Sequence, residues 1–277
     1  MTISWYPGHM HKAKKELIKL MANIQVVVEL LDARLPLASS NPLLNSIRGN
    51  TPCIKVLNKA DLAIASITAS WQSFFNSQPN TICLLNGNEE LLNAELVLRA
   101  AKKLMASSKG PRPSAKQLVI VGIPNVGKST LLNRLVERKL AKTGNEPAVT
   151  KGQQRVKLEE GWYLIDTPGL LWPKLEDQTA AYRLALTGTI RNTAVEAEDI
   201  AWFAAELLIK NHREVLQTRY DLLETVNSAE SLLHHIASKR GCLRKNGQPD
   251  WHKTAEVLLN DFRSGKLGRF SLESPPQ

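Results

Sequence analysis

Short apolar runs alternate with amphipathic segments over the first part of the chain. The runs are rich in Val, Ile and Leu and have the length of buried β-strands. They predict strands at 25–31, 53–57, 81–85, 117–121 and 162–165. Helices are predicted at 8–24, where apolar residues recur at three- and four-residue steps, and in the segment that ends near Leu104. This alternation is typical of an α/β protein.

Beyond Pro173 the pattern predicts helices alone. A helix at 199–210 carries its apolar residues on one side. The segment from Asn227 to Glu230 resembles a capping box, and the helix after it is predicted to end at Gly241. Another helix is predicted from 249 to 264. We therefore expect an α/β domain followed by a smaller all-helical domain.

The strand at 117–121 leads into Gly122–Ser129, which reads G-I-P-N-V-G-K-S, and an apolar-periodic segment follows it. A G-x-x-x-x-G-K-[ST] motif between a strand and a helix is typical of a phosphate-binding loop. Its glycines permit close backbone approach, and its amides form an anion site at the start of a helix. Lys128 would then reach the β- and γ-phosphates, and the Ser129 hydroxyl would hold Mg²⁺. The residues expected to contact the nucleotide here are Asn125, Val126, Gly127, Lys128, Ser129 and Thr130.

The strand at 53–57 ends in Asn58-Lys59-Ala60-Asp61, at the carboxyl end where ligands bind in an open α/β sheet. An aspartate there accepts two hydrogen bonds from the N–H edge of guanine, whereas adenine offers no matching pair of donors. Asn58 is expected to bond the purine edge and to tie neighbouring loops together, and the Lys59 stem to cover the ring. Beside a phosphate-binding loop, this short motif predicts GTP and GDP as ligands.

Two further polar segments lie where a γ-phosphate is sensed. Thr150 lies in the polar segment 141–155 and is expected to bind Mg²⁺ and the γ-phosphate. The strand at 162–165 is followed by D-T-P-G, in which Asp166 is expected in the outer coordination sphere of Mg²⁺. The amide of Gly169 is expected to contact the γ-phosphate.

The motifs stand in an order that ordinary GTPases do not have. N-K-A-D precedes the phosphate-binding loop, and D-T-P-G follows it. The α/β domain is therefore predicted to be a circularly permuted P-loop GTPase, in which the usual ends are joined through 106–114. We place this domain at 1–177 and the helical domain at 178–277. Because Asp166–Gly169 leads directly into the helices, hydrolysis is expected to reposition the helical domain.

The formal net charge of +10 predicts an acidic partner, with nucleic acid first, although a basic surface that binds nothing stays an alternative. Cationic side chains line one face of the first helix, and residues 227–277 hold eight Lys/Arg against five Asp/Glu. The three cysteines lack C-x-x-C spacing, so we expect reduced thiols in a cytosol. No apolar run reaches about 18 residues and the start lacks a signal-peptide layout, so we expect a cytoplasmic protein without membrane contact.

The chain resembles the circularly permuted ribosome-assembly GTPases of the YlqF/RbgA type over nearly its full length. The segments that carry the resemblance are Trp5–Met10, Asp32–Pro36, Ser40–Pro42, Asn58–Asp61, Gly122–Ser129, Thr150, Asp166–Gly169 and Asn260–Arg269. The resemblance implies a role in late maturation of the large ribosomal subunit, with the helical domain in contact with ribosomal RNA. We expect a monomer. Two departures are Ala148, where the family often has glycine, and Leu85-Asn86, which replaces the usual base-closing motif. No residue of that loop is assigned a role.

Leu170 follows D-T-P-G in place of the glutamine that orients water in many GTPases. Intrinsic turnover is therefore expected to be slow, on the order of 10⁻⁴ to 10⁻² s⁻¹. The resemblance assigns the positioning of water to His9, whose neutral imidazole can accept a proton or orient the water. The alternative is that His9 only caps the first helix. Related GTPases with asparagine at the Asn125 position bind K⁺, and such an ion beside the phosphates is a second expected aid to catalysis.

Two other functions stay open at this point. A GTP-dependent switch with a protein partner has the same nucleotide motifs, and the basic segments favour RNA over it. A P-loop ATPase or kinase is disfavoured by Asp61, because that carboxylate matches guanine.

Overall fold

The computed structural model describes residues 9–88, 91–107, 116–136, 154–167, 177–189 and 195–276, with the backbone alone at 9–14, 107 and 154. The chain forms two compact units. One contains the described residues of Ser4–Leu175 together with those of Phe270–Gln277, and the other contains those of Glu176–Arg269.

A mixed β-sheet forms the centre of the first unit. Its described strands are β1 (Val26–Asp32), β2 (Cys53–Asn58), β3 (Thr81–Asn86), β4 (Lys116–Gly122), β5 (Gln154–Lys157) and β6 (Trp162–Asp166). They lie in the order β3-β2-β1-β4-β6-β5, and the pairs are parallel except for β5 with β6. The five strands predicted from apolar runs are all present. β5 was not predicted, because its four residues include a single apolar one, Val156, and so form no apolar run.

Helices flank this sheet because the apolar strands need cover on both faces. The helices of the first unit are α1 (His9–Met21), α2 (Pro36–Ser39), α3 (Pro42–Arg48), α4 (Ala65–Asn76), α5 (Ala94–Ser107) and α6 (Lys128–Leu135). α1 places Leu17 in a buried cluster with Val27 of β1 and Val119 of β4, and Leu20 and Met21 pack against the same cluster. The apolar stripe predicted for the first helix is therefore buried or partly buried over its described part.

The second unit contains helices alone in its described part. They are α7 (Gln178–Leu186), α8 (Ala197–Asn211), α9 (Arg213–Tyr220), α10 (Ala229–Arg240) and α11 (Trp251–Arg263). Arg263 donates to the carbonyl oxygens of Leu186 and Ala185, each at 2.9 Å, and so caps the end of α7.

The predicted capping box of α10 is wrong by one residue. Ser228, rather than Asn227, is the N-cap, and its hydroxyl accepts the N–H of Ser231 at 3.1 Å. The Ser231 hydroxyl accepts the N–H of Ser228 in return at 3.0 Å, so a serine takes the role predicted for Glu230. Gly241 ends this helix in the left-handed conformation, as predicted.

The last residues of the chain pack differently from their predicted assignment to the helical domain. Phe270 donates its N–H to the carbonyl oxygen of Leu62 at 2.9 Å, and Leu272 donates to that of Arg34 at 2.7 Å. Both Phe270 and Leu272 are buried. These contacts attach residues 270–276 to the sheet-containing unit.

No helix in the described part of the chain is both long enough and apolar enough to span a membrane.

Candidate nucleotide-binding site

The loops that carry the predicted motifs leave the sheet at one edge. β2, β1 and β4 are parallel neighbours, so the segments that follow them begin at the same carboxyl edge. Asn58 to Asp61 follow β2, and the phosphate-binding loop follows β4. This edge is where ligands bind in open α/β sheets.

The phosphate-binding loop has the backbone that an anion site requires. Asn125 and Gly127 have positive φ values of 54° and 105°, and α6 begins directly afterwards at Lys128. A Cβ at position 127 would collide with Nδ2 of Asn58, so only glycine fits. The loop amides and the start of α6 therefore form a cradle suited to phosphate.

Lys128 is buried at the base of this loop. Its Nζ donates to the carbonyl oxygens of Gly122 at 3.0 Å and Ile123 at 2.9 Å. Burial lowers the pKa of Lys128 to about 8, while the carboxylate of Asp166 acts in the opposite direction. An ammonium group so placed is pre-positioned for phosphate oxygens.

The residues predicted to serve Mg²⁺ are described only in part. Ser129 lies in the first turn of α6, and Asp166 is fully buried at the end of β6. The hydroxyl of Thr167 donates to the carbonyl oxygen of Ile120 at 2.9 Å and so anchors the D-T-P-G segment to β4. A hydroxyl and a carboxylate are the oxygen donors that Mg²⁺ prefers, so these residues fit the ion.

Three predicted site residues lie wholly or partly outside the described residues. Thr150 and Gly169 are among them, and His9 is described only by its backbone, as the first residue of α1. Their predicted roles stay predictions.

Asn58 and Lys59 join the motif after β2 to the phosphate-binding loop. Asn58 Nδ2 donates to the carbonyl oxygen of Val126 at 2.6 Å. Lys59, in the left-handed conformation, donates through Nζ to the carbonyl oxygen of Asn125 at 3.2 Å. The motif after β2 and the phosphate-binding loop are therefore held together by side-chain to backbone hydrogen bonds.

Asp61 lies beside the loop that follows β3. Its Oδ2 accepts a hydrogen bond from Nδ2 of Asn88 at 2.9 Å. Gly87 packs against it so closely that a Cβ there would lie 2.8 Å from Oδ1 of Asp61. The loop after β3 therefore confines the carboxylate that is expected to select guanine.

Comparison with known proteins agrees with this geometry. The chain is 43% identical to Ribosome biogenesis GTPase A of Bacillus licheniformis over 99% of both chains. The chain belongs to this family. It is also 32% identical to the Ribosome biogenesis GTPase A of Thermotoga maritima over 99% of this chain and 95% of that one.

Two further comparisons support the ribosome biogenesis GTPase A assignment. The family model described as a 50S ribosome-binding GTPase matches residues 117–237. The crystal structure of GNP-bound YlqF from T. maritima covers 96% of this chain and 99% of its own, with a TM-score of 0.67 and 28% identity. The family and the fold class predicted from sequence are confirmed.

A buried ion pair lies in Asp32–Pro36, one of the segments that carry the resemblance to the family. Arg34 donates to both carboxylate oxygens of Asp32, at 2.9 and 2.7 Å, and Lys59 lies 3.2 Å from the same carboxylate. Burial raises the pKa of Asp32, but the charges of Arg34 and Lys59 outweigh it and hold this pKa well below its usual range. Asp32 thus fixes Lys59, which in turn contacts the phosphate-binding loop.

Sequence reasoning missed the polar residues of the loop after β3. Asn86 is paired in register with Asn58, contacts it, and receives a hydrogen bond from Arg134 of α6. Asn86-Gly87 was predicted only as the place for a loop that closes over the base, and no residue there was assigned a role. Its signal was available, because Asn86 stands at the carboxyl end of a predicted parallel strand.

Proposed function

We propose that this chain binds and hydrolyses GTP to drive late assembly of the large ribosomal subunit. The observation that carries the proposal is the pair of hydrogen bonds from Asn58 and Lys59 to the phosphate-binding loop. They hold a guanine-matching motif, which ends at Asp61, against a loop shaped for phosphate. The family membership supports the ribosomal role.

The chemistry at the phosphates is proposed from the residues that surround them. Lys128 neutralises the β- and γ-phosphates, and Ser129 with Asp166 and Thr150 would hold Mg²⁺, which offsets charge on the phosphate oxygens. Asn125 would hold K⁺ in the same manner. His9 would position the attacking water, and the absence of a glutamine at Leu170 keeps turnover slow without the ribosomal subunit.

Contact with ribosomal RNA is proposed from the exposed charge of the helical unit. The exposed basic residues after position 226 are Lys239, Arg240, Arg244, Lys245, Lys253, Lys266 and Arg269. Arg263 differs from them because it caps α7. Lys15 and Lys19 of α1 are exposed as well. Such side chains bind phosphate backbones with an affinity that falls steeply as salt rises.

We place the protein in the cytoplasm as a monomer.

The deciding experiment is GTP hydrolysis in K⁺ buffer, with and without large ribosomal subunits, at two salt concentrations. The proposal expects strong stimulation by the subunit that declines at the higher salt concentration. Tight GTP binding without stimulation would instead indicate a GTP-dependent switch with a protein partner. Equal binding of ATP would overturn the guanine assignment.

A further inference from the structure

The side chain of Asn86 lies between two elements of the nucleotide site. Asn86 ends β3 and is paired in register with Asn58, which ends β2. Both side chains are buried, with exposed fractions of 6% and 8%. Buried amides require hydrogen-bond partners, and the orientation of each amide is set by which neighbours donate and which accept.

The neighbours of Asn86 leave it one orientation. Its Oδ1 accepts from Nη1 of Arg134 at 2.9 Å and from the backbone N–H of Leu92 at 3.0 Å. A guanidinium and a backbone N–H can only donate, so the oxygen of Asn86 must face them. Its amide nitrogen therefore faces Asn58 and donates to Oδ1 of that residue.

This orientation is passed on to Asn58. Because Oδ1 of Asn58 accepts from Asn86, its Nδ2 is directed to the carbonyl oxygen of Val126, 2.6 Å away. The relay therefore runs from Arg134 through Asn86 and Asn58 to Val126. One end of the relay, Val126, lies in the phosphate-binding loop, and the other, Arg134, lies in α6, the helix that follows this loop.

We propose that Asn86, held by Arg134, is a positioning residue for guanine nucleotide binding. It acts through Asn58, whose amide it orients toward the phosphate-binding loop and the purine edge. The proposal rests on the proposed function, since it assumes that the site binds guanine nucleotides. It assigns a role to the base-side loop for which the sequence offered no residue.

The substitution Asn86→Asp tests the relay with almost no change of shape. A carboxylate still accepts from Arg134 and Leu92, but it cannot donate to Asn58. If Asn58 keeps its orientation, its Oδ1 then faces a carboxylate oxygen, with no hydrogen atom between two acceptors. If its amide turns over instead, it loses the hydrogen bond to Val126. The matched control is Asn93→Asp, because Asn93 is exposed and uses its Oδ1 only to accept the N–H of Leu96, which an aspartate also does.

The measurement is the dissociation constant of GDP, together with kcat and KM for GTP. Asn86→Asp is expected to weaken GDP binding about tenfold or more and to raise KM by a similar factor, with kcat unchanged. Asn93→Asp is expected to match the unchanged protein. Arg134→Gln, at a half-buried site, serves if Asn86→Asp fails to fold, and about threefold weaker GDP binding is expected from it.

A double-mutant cycle with Asn58→Ala separates positioning from a general structural effect. If Asn86 acts through Asn58, Asn86→Asp changes GDP affinity less than twofold in the Asn58→Ala background. Equal losses in both backgrounds would overturn the proposal. So would GDP affinity in Asn86→Asp equal to that in Asn93→Asp. Failure of the unchanged protein to bind GDP would instead overturn the proposed function.

Discussion

The Nζ of Lys55 lies 2.6 Å from Oε2 of Glu29, directly across the β1–β2 ladder in the interior of the sheet. Both side chains are buried. The hydroxyl of Ser40 and the N–H of Asn41 also donate to the Glu29 carboxylate, each at 3.3 Å. The ion pair therefore joins two central strands to the segment Ser40–Pro42, which the family resemblance had singled out without a physical reason.

Removing one member of this pair is expected to destabilise the protein strongly. Lys55→Met leaves the Glu29 carboxylate buried without its counter-charge, and the expected loss in the free energy of unfolding is about 3–5 kcal/mol. The double variant Glu29→Leu/Lys55→Met removes both charges and is expected to recover most of that loss. Urea denaturation gives the free energy of unfolding of the unchanged protein, of Lys55→Met and of the double variant. A double variant no more stable than Lys55→Met would contradict this account.

The site was predictable where a motif coincides with the end of a strand. The alternation of apolar runs located β2 and β4, and the carboxyl-edge rule then brought Asn58 and the phosphate-binding loop together. Asn86 was missed because an asparagine before glycine is common in turns, so its position at the end of a predicted strand was not recognised as functional. Its partner Arg134 belongs to another element, and the register that joins them appears only in the assembled sheet.

The C-terminal tail could not be placed from sequence for a related reason. Phe270 and Leu272 show no helical or strand period that would assign them to either unit. Their partners Leu62 and Arg34 lie more than 200 residues earlier in the chain, so local pattern gives no information about the contact. The off-by-one cap at Ser228 is a smaller error, since serine and asparagine are about equally good caps.

GDP affinity is expected to fall as pH rises above about 8. Burial lowers the pKa of Lys128 to about 8, so the nucleotide-free protein begins to lose this proton there. Phosphate oxygens hold the ammonium form, so binding above that pH requires proton uptake, and affinity approaches a tenfold loss per pH unit. Dissociation constants at pH 7, 8 and 9 test this. This pH dependence should be absent from Lys128→Met. Any dependence that remains in that variant comes from the titration of the base and of other groups.

The same shift has a consequence for stability without nucleotide. The pKa of Lys128 is lower in the folded protein than the ordinary lysine value of 10.5, so the unfolded chain binds more protons between about pH 8 and 10.5. The contribution of Lys128 to the free energy of unfolding therefore rises with pH in that window. The free energy of unfolding of the unchanged protein minus that of Lys128→Met should increase with pH in that window, and a decrease would contradict the sign.

His9→Ala is expected to lower subunit-stimulated turnover and to leave GTP affinity unchanged. The proposed role of His9 is to position water, which matters for the chemical step and not for binding. Single-turnover hydrolysis on the subunit and GDP titration separate the two effects. His11→Ala removes an imidazole two positions along the sequence and serves as the control. An unchanged stimulated rate in His9→Ala would leave only helix capping as its role.

Phe270→Ala is expected to reduce the free energy of unfolding by about 3–5 kcal/mol, because it empties a buried aromatic site. The tail contacts extend to Glu273, whose carboxylate accepts the N–H of Leu37 at 2.8 Å and whose carbonyl accepts Nε1 of Trp71 at 3.2 Å. Loss of the Phe270 side chain should raise amide hydrogen exchange at 60–64, the segment that includes Asp61. Ser274→Ala, at an exposed position, is the control. Unchanged exchange at 60–64 would show that the tail does not support this loop.

Asp61→Asn is expected to weaken GDP binding by tenfold or more, because an amide presents one acceptor where guanine offers two donors. Xanthine carries a carbonyl oxygen in place of the exocyclic amine of guanine, and the new amide nitrogen can donate to that oxygen. The variant should therefore bind xanthosine diphosphate more tightly than the unchanged protein does. Competition titrations with GDP, xanthosine diphosphate and ADP measure the change.

The loop after β3 sharpens this test. Asn88 donates to Oδ2 of Asp61, and an asparagine oxygen at position 61 can still accept that bond. The new side chain is then held with its amide nitrogen toward the base, which is the orientation that xanthine requires. Glu95→Gln, which neutralises an exposed carboxylate in the same unit, should alter none of the three affinities. If Asp61→Asn weakens GDP and ADP equally without any gain for xanthosine diphosphate, Asp61 acts on the shape of the loop and does not contact the base.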